Sequence, residues 1–303
     1  MGANTANTAN TANTANAGSA GNGGGSGGEW TFANRVNRPF VLDPRVSGAS
    51  LSVGTKYPDR RWDAYWYATA VVAEFAGALW PGMIDASSPS VTMVDPATFG
   101  AAQVQGEIDD LRTLARLERT DAMGEIIAQK DEFVSYFMGL LHATPHSHPH
   151  TYRVLYSASQ IALMAAMHFK YKFNRARPVQ LYPPLLPPCE TPGHASYPSG
   201  HATQSRMMEN CMGLVLHNAT LLATAPLPGA DATTLTTDLS ALAWRIAHNR
   251  EIAGFHYRSD TVHGRTLADD IFSQMRTDLS STTPKLSLLS SAMKDAQDEW
   301  ATS

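Results

Sequence analysis

Cysteine is scarce: Cys189, beside a proline-rich loop, and Cys211, in a helical stretch, are the only two in 303 residues. That excludes a disulfide framework, and a bridge between them would need loop and helix to meet at one specific distance, which the sequence leaves open. Long apolar runs are missing too. The most apolar stretch, IALMAAM at 161–167, is flanked by polar residues and falls well short of the roughly 20 residues that cross a bilayer, so no membrane span is expected and a soluble protein is. No extended basic block interrupts a net charge of −4, which removes the electrostatic footprint of a nucleic-acid binder. Strand-like alternation is equally rare.

What is present is helical. Residues 1–28 repeat Asn-Thr-Ala and then turn to Gly, Ser and Asn; they should form a disordered tail, and they contain no apolar segment fit for a signal-peptide core. Residues 29–303 read as one helical domain, 43% of the chain being hydrophobic, enough for a substantial core. Its opening part, about 30–59, is rich in Pro, Gly and Ser and reads as irregular. Apolar spacing then predicts helices over 62–79, stopped by Pro81-Gly82, and over 104–117, 122–141, 152–174, 202–222, 235–253, 261–279 and 286–300. The expected fold is therefore all-α, a single large bundle with polar groups from helix ends and loops supplied to a site at its centre. Aromatic Trp62, Tyr65, Trp66 and Tyr67 on the first helix suggest core packing.

Three short stretches concentrate charge. In KYKFNRARP, Lys170 and Arg177 stand seven apart, close to two helical turns. Pro178 pushes Arg177 toward extended geometry, so Arg177 should swing off the helix end; the plain alternative is two surface cations, with Lys172 and Arg175 beside them. PSGH at 198–201 sits where a loop meets a helix. Such a junction presents unpaired N–H groups and a positive dipole end to an anion, with the Ser199 hydroxyl as a further donor and Gly200 allowing close approach, although a serine-capped helix with an incidental histidine has the same sequence. In NREIAGFHYRSD, Asp260 follows His256 by four, so the carboxylate can fix the imidazole tautomer. Arg250 precedes His256 by six, which on an unbroken helix would turn them about 120° apart; a break near Gly254 is expected to bring both to one pocket.

Together these segments supply three guanidinium or ammonium groups that need a counter-charge. Buried without a counter-charge they would be strongly destabilising. An oxyanion provides one, each contact at about 4 Å and an effective dielectric near 20 being worth about 4 kcal/mol before desolvation, and an arginine fork suits tetrahedral oxygens.

K-x6-RP, PSGH and R-x5-H-x3-D, over about 90 residues, resemble the three-part signature of the superfamily that joins type 2 phosphatidic acid phosphatases, bacterial non-specific acid phosphatases and vanadium-dependent haloperoxidases. One departure is Asn249, where many members carry serine. The resemblance implies an all-α fold in which Lys170, Arg177, Ser199, Gly200 and Arg250 hold the oxygens of phosphate or vanadate. As a phosphatase acting on phosphomonoesters, His256 would attack phosphorus, Asp260 orient it and His201 protonate the leaving alcohol. As a haloperoxidase, vanadate would be the cofactor and His256 its vanadium ligand, His201 would move a proton, and hydrogen peroxide, a halide (bromide or iodide favoured) and a small organic acceptor would be the partners.

Three features favour the peroxidase. His194, seven before His201, resembles a bromoperoxidase pattern in which a histidine lies close to vanadate; HYRSD at 256–260 resembles the peroxidase form more than the HWQSD of acid phosphatases; and the chain exceeds a minimal acid phosphatase in length. A non-catalytic oxyanion-binding protein is the remaining alternative. Family resemblance also makes export and homo-oligomer formation plausible. A second histidine group, His142, His146, His148 and His150, superficially suggests a divalent-metal site, but its prolines force extended backbone and no cysteine or close carboxylate completes a ligand set.

Overall fold

The computed structural model describes residue 57 and residues 59–85, 87, 89–222 and 232–301. The tail expected to be disordered and most of the opening irregular segment lie outside the described residues. Among those described the fold is all-α, with no strand.

Helix α1 (Ala64–Ala78) is capped by Asp63, whose carboxylate accepts from Tyr65 N at 2.9 Å. Pro81 does not simply stop it. The chain enters a short second helix, α2 (Trp80–Met83), with Pro81 in the first turn, where its missing N–H costs nothing. Next come α3 (Ala101–Leu117), α4 (Arg119–Ala128) and α5 (Val134–Leu140). The single helix expected over 122–141 is thus two, broken around 129–133, and the break has a use: the Gln129 carbonyl, which a continuous helix would spend on residue 133, accepts from His201.

The centre of the bundle is α6 (Pro149–Phe173) packed on α8 (Gly200–Leu222). Buried Ala158, Ala162, Ala165 and Ala166 keep the surface of α6 low, so that α1 and α11 (Ser287–Ala301) also pack closely on it, while Leu155, Ile161 and Phe169 fill the spaces between. On the other side α8 carries α9 (Ala232–Ile252) and α10 (Arg258–Leu279). Gly264 sets the closest approach: a Cβ there would stand 2.7 Å from the Ser199 carbonyl and 3.0 Å from Thr203 Oγ1. Helix α7 (Pro178–Leu181) and the loops around it link α6 to α8.

The early aromatics divide. Tyr67 is core, its hydroxyl donating to Leu288 O at 2.7 Å. Trp62 and Trp66 are exposed and Tyr65 is half-buried. Both cysteines are free: Cys211 lies in the main core, whereas Cys189 packs against a separate cluster of Ile126, Ile252, Ala253 and Phe255. Of the histidine-rich segment expected to be a loop, His148 caps α6 and stacks on Trp300 at 4.4 Å between ring centroids, and His150 lies in the first turn of α6 and faces Asp295 at 3.7 Å.

Candidate active site

Four helix ends meet: the last turns of α6 and α9 and the first turns of α8 and α10. Each contributes a singled-out residue, respectively Lys170, Arg250, His201 and Asp260. Helices α3 and α4 wall the cluster from outside.

Asn174 ends α6 in the left-handed conformation (φ 48°), its N–H returning to Lys170 O at 2.9 Å. Arg177 then adopts extended backbone (φ −76°, ψ 156°) immediately before Pro178 and turns inward. Gly254, at φ 81°, makes the break after α9. His256 precedes α10, which begins at Arg258 rather than at 261. The His256–Asp260 contact therefore arises from capping geometry and not from one helical turn. The Asp260 carboxylate reaches back to Tyr257 N at 3.1 Å, and the same oxygen, Oδ2, accepts from His256 Nδ1 at 3.1 Å.

All three signature cations are inside, Lys170 at 1%, Arg177 at 3% and Arg250 at 2% exposure. None pairs with a carboxylate among the described residues. Lys170 Nζ donates to Ala195 O (2.9 Å) and Ser196 O (2.7 Å); Arg177 donates from Nε to His194 O (2.8 Å) and from Nη1 to Phe255 O (3.0 Å), and its Nη2 meets His194 Nδ1 at 3.1 Å; Arg250 Nη2 donates to Ile126 O at 2.9 Å. Arg250 Nε is buried with no partner. Burial, reinforced by Arg177, holds the Lys170 ammonium well below its ordinary range, and burial brings each arginine down to about 10.

The histidines feel the same field. Burial, then Lys170 and Arg177, pushes the His256 imidazole well below its usual range. Burial, then Arg250, takes His201 down to about 3. His201 Nε2 donates to Gln129 O at 2.8 Å and its ring lies 4.7 Å from that of Phe133, so Nδ1 is the bare nitrogen of a neutral imidazole. His194, with an exposed edge, stands against Arg177 at one wall of a cleft of about 590 Å³ between 174–180 and 191–195. His256 Nδ1 is also 3.4 Å from Ser196 Oγ, and its Nε2 has no hydrogen bond to the described residues.

PSGH begins α8 as expected. Ser199 is buried; its N–H donates to Asp260 O at 3.0 Å, and its Oγ is 3.5 Å from Ala202 N, a loose cap. A Cβ on Gly200 would meet only Gln204 Oε1 at 3.8 Å and Lys170 Cε at 3.9 Å, so the protein itself leaves room above this glycine. Asn249, the departure from the signature, turns away and donates to Glu125 Oε2 and Gln129 Oε1, both at 2.9 Å.

Three participants escaped the sequence reading. Arg175, counted there with the surface cations, turns its side chain inward, 9% of it exposed, and donates to Asp260 Oδ1 at 2.7 Å. Glu107 on α3 accepts from Arg175 and from Ser259. Ser196 Oγ donates to Asp260 Oδ2. Arg175 shares an extended stretch with Arg177 two residues on, a spacing that hints at a common role; Glu107 stands more than 60 residues away and carries no local signal.

Among the described residues no three His, Cys, Asp or Glu side chains gather into a cation site, whereas an oxyanion held by cations needs no such group. No protein-family model matches this chain, and no curated protein does.

Proposed function

We propose that the chain is a vanadate-dependent haloperoxidase, its site built around a tetrahedral oxyanion. The observation that carries the reading is the trio of buried cations held by backbone carbonyls and the His194 ring, with no carboxylate partner among the described residues and one orphaned Nε, beside a histidine whose Nδ1 is held by a carboxylate. One Lys170 hydrogen, the spare terminal hydrogens of Arg177 and the Nε of Arg250 are the donors left over. With the space above Gly200, they fit a group bearing several oxygens.

In this reading Lys170, Arg177, Arg250 and the Ser199–Gly200 turn would hold the oxygens, and His256 Nε2 would bind vanadium. Vanadate, when bound, supplies the Lewis acid that activates hydrogen peroxide toward two-electron oxidation of halide. The residues do the rest. Asp260 keeps the His256 proton on Nδ1 and the Nε2 lone pair free. His201, neutral and bare at Nδ1, accepts a proton. His194 lies between Arg177 and the cleft, the route by which small reactants arrive.

The same histidine and carboxylate suit the second reading, attack of His256 on a phosphomonoester to form a phosphohistidine, and the Nδ1-bound Asp260 favours it as a nucleophile. The two readings part at His201, which takes up a proton in the first and gives one to the leaving alcohol in the second. The test is direct. Full-length protein given vanadate, peroxide and bromide should brominate a phenolic dye, and without vanadate should leave an aryl phosphate intact. Aryl phosphate turnover, which vanadate would inhibit, would replace the first reading with the second. Absence of both activities and of vanadate binding would leave a structural role.

A further inference from the structure

Asp260 is wholly buried, and its two oxygens are used unequally. Oδ2 accepts from His256 Nδ1, Tyr257 N and Ser196 Oγ; Oδ1 accepts only from Arg175 Nη1. The rotation of the carboxylate about its last bond, and with it the oxygen offered to His256, therefore depends on where Arg175 stands.

Arg175 is itself clamped. Its guanidinium carbon lies 3.8 Å from the centre of the Tyr257 ring and 5.1 Å from that of Phe99. In the plane, Nη1 also donates to Ser259 Oγ at 2.7 Å and Nη2 to Glu107 Oε2 at 3.2 Å. Glu107 in turn accepts from Ser259 N through Oε1 at 2.6 Å and from Ser259 Oγ through Oε2 at 2.9 Å, so one carboxylate on α3 fixes both the first turn of α10 and the arginine beside it. We propose that Arg175, seated by Glu107, is a positioning residue that holds Asp260 in the one rotation that keeps the proton of His256 on Nδ1 and turns Nε2 to the cation cluster. The inference rests on His256 being the group that meets the oxyanion. It assigns Arg175 a duty different from that of the signature cations: Arg175 is paired with two acids and orients a side chain, while Lys170, Arg177 and Arg250 remain available to a ligand.

Long-range ¹H–¹⁵N spectra of the ¹⁵N-labelled full chain at a fixed pH of about 8 read the His256 tautomer, with His256→Gln assigning the signal. Wild type should show a single tautomer protonated at Nδ1. Arg175→Met should give a mixture of tautomers and weaken inorganic phosphate and vanadate binding by about tenfold or more, the usual cost of removing a residue that orients a ligand. Arg175→Lys should restore most of the single tautomer, and Glu107→Gln should fall between. An unchanged tautomer in Arg175→Met, with only a lower Tm, would overturn the proposal by showing a purely structural ion pair. If Arg175→Met does not fold, Glu107→Gln decides, a wild-type spectrum there counting against the proposal and a mixture of tautomers supporting it. A wild-type protein that binds neither anion would remove the oxyanion-site reading, whereas the tautomer, read without any ligand, tests the hold of Arg175 on Asp260 separately.

Discussion

Two groups of charge lie between α8 and its neighbours, and they differ in how their books close. Some two turns into α8, Arg206 reaches Asp269 at 2.7 Å and also pairs with Glu209, Arg265 approaches Glu209 at 3.5 Å, and Asn210 donates to Asp269 at 2.8 Å. Two cations meet two acids. At the head of the same helix, Lys170, Arg177 and Arg250 are more deeply buried and meet carbonyls and the His194 ring but no carboxylate among the described residues. An orphaned nitrogen does not by itself separate the two, since Arg265 Nη1 is also buried without a partner. What separates them is the missing carboxylate. A self-compensated network holds helices together, whereas an uncompensated one carries a desolvation cost that only a bound anion can offset.

The comparison breaks most sharply under Arg250→Met. Losing one of the cations should reduce vanadate or phosphate affinity by at least about 30-fold, the scale of truncating one partner of a buried charge pair, while the anion-free protein keeps or gains thermal stability because a buried unpaired charge has gone. Arg206→Met should do the reverse: a loss of about 1–3 kcal/mol from stranding Glu209 and Asp269, with anion affinity unchanged. Calorimetric titration and denaturant melts of the two variants, with and without phosphate, measure both halves. Matching responses in the two variants would remove the distinction.

Acid offers the next largest effect. His201 titrates near 3 in the fold and near 6.5 in an unfolded chain. Between those values the unfolded state binds more protons, so stability present above about pH 6.5 drains away as pH falls toward 3, by up to a few kcal/mol. Urea melts across that range check it, and a bound oxyanion should flatten the slope by raising the histidine pKa. The smallest change is expected from His194→Ala, which should slow halide oxidation several-fold while vanadate affinity stays close to wild type, since Arg177 keeps its bonds to the His194 and Phe255 carbonyls. Equal loss of rate and affinity would assign His194 to anion binding instead.

Much of the fold was legible because its causes are local. Periodicity marked the long helices, Pro178 marked where Arg177 leaves α6, and Gly254 marked the break before His256. The division of 122–141 was not legible, because it depends on a Gln129 carbonyl finding His201 some 70 residues on. Gly264 looked like an ordinary helical residue, yet it is where α10 meets the Ser199 carbonyl. Arg175 and Arg177 differ by two positions, and only Arg177 was singled out in the sequence; distant Glu107 makes Arg175 a structural partner, while Arg177 stays without an acid among the described residues.

The sequence by itself determined an all-α chain and a set of cations and histidines in a definite order, because helix periods, proline and glycine act over a few residues. Only the tertiary structure decided which cations are compensated. That depends on which carboxylates come near in space, and burial, which sets the cost of a missing one, belongs to the packed chain and not to any segment of it.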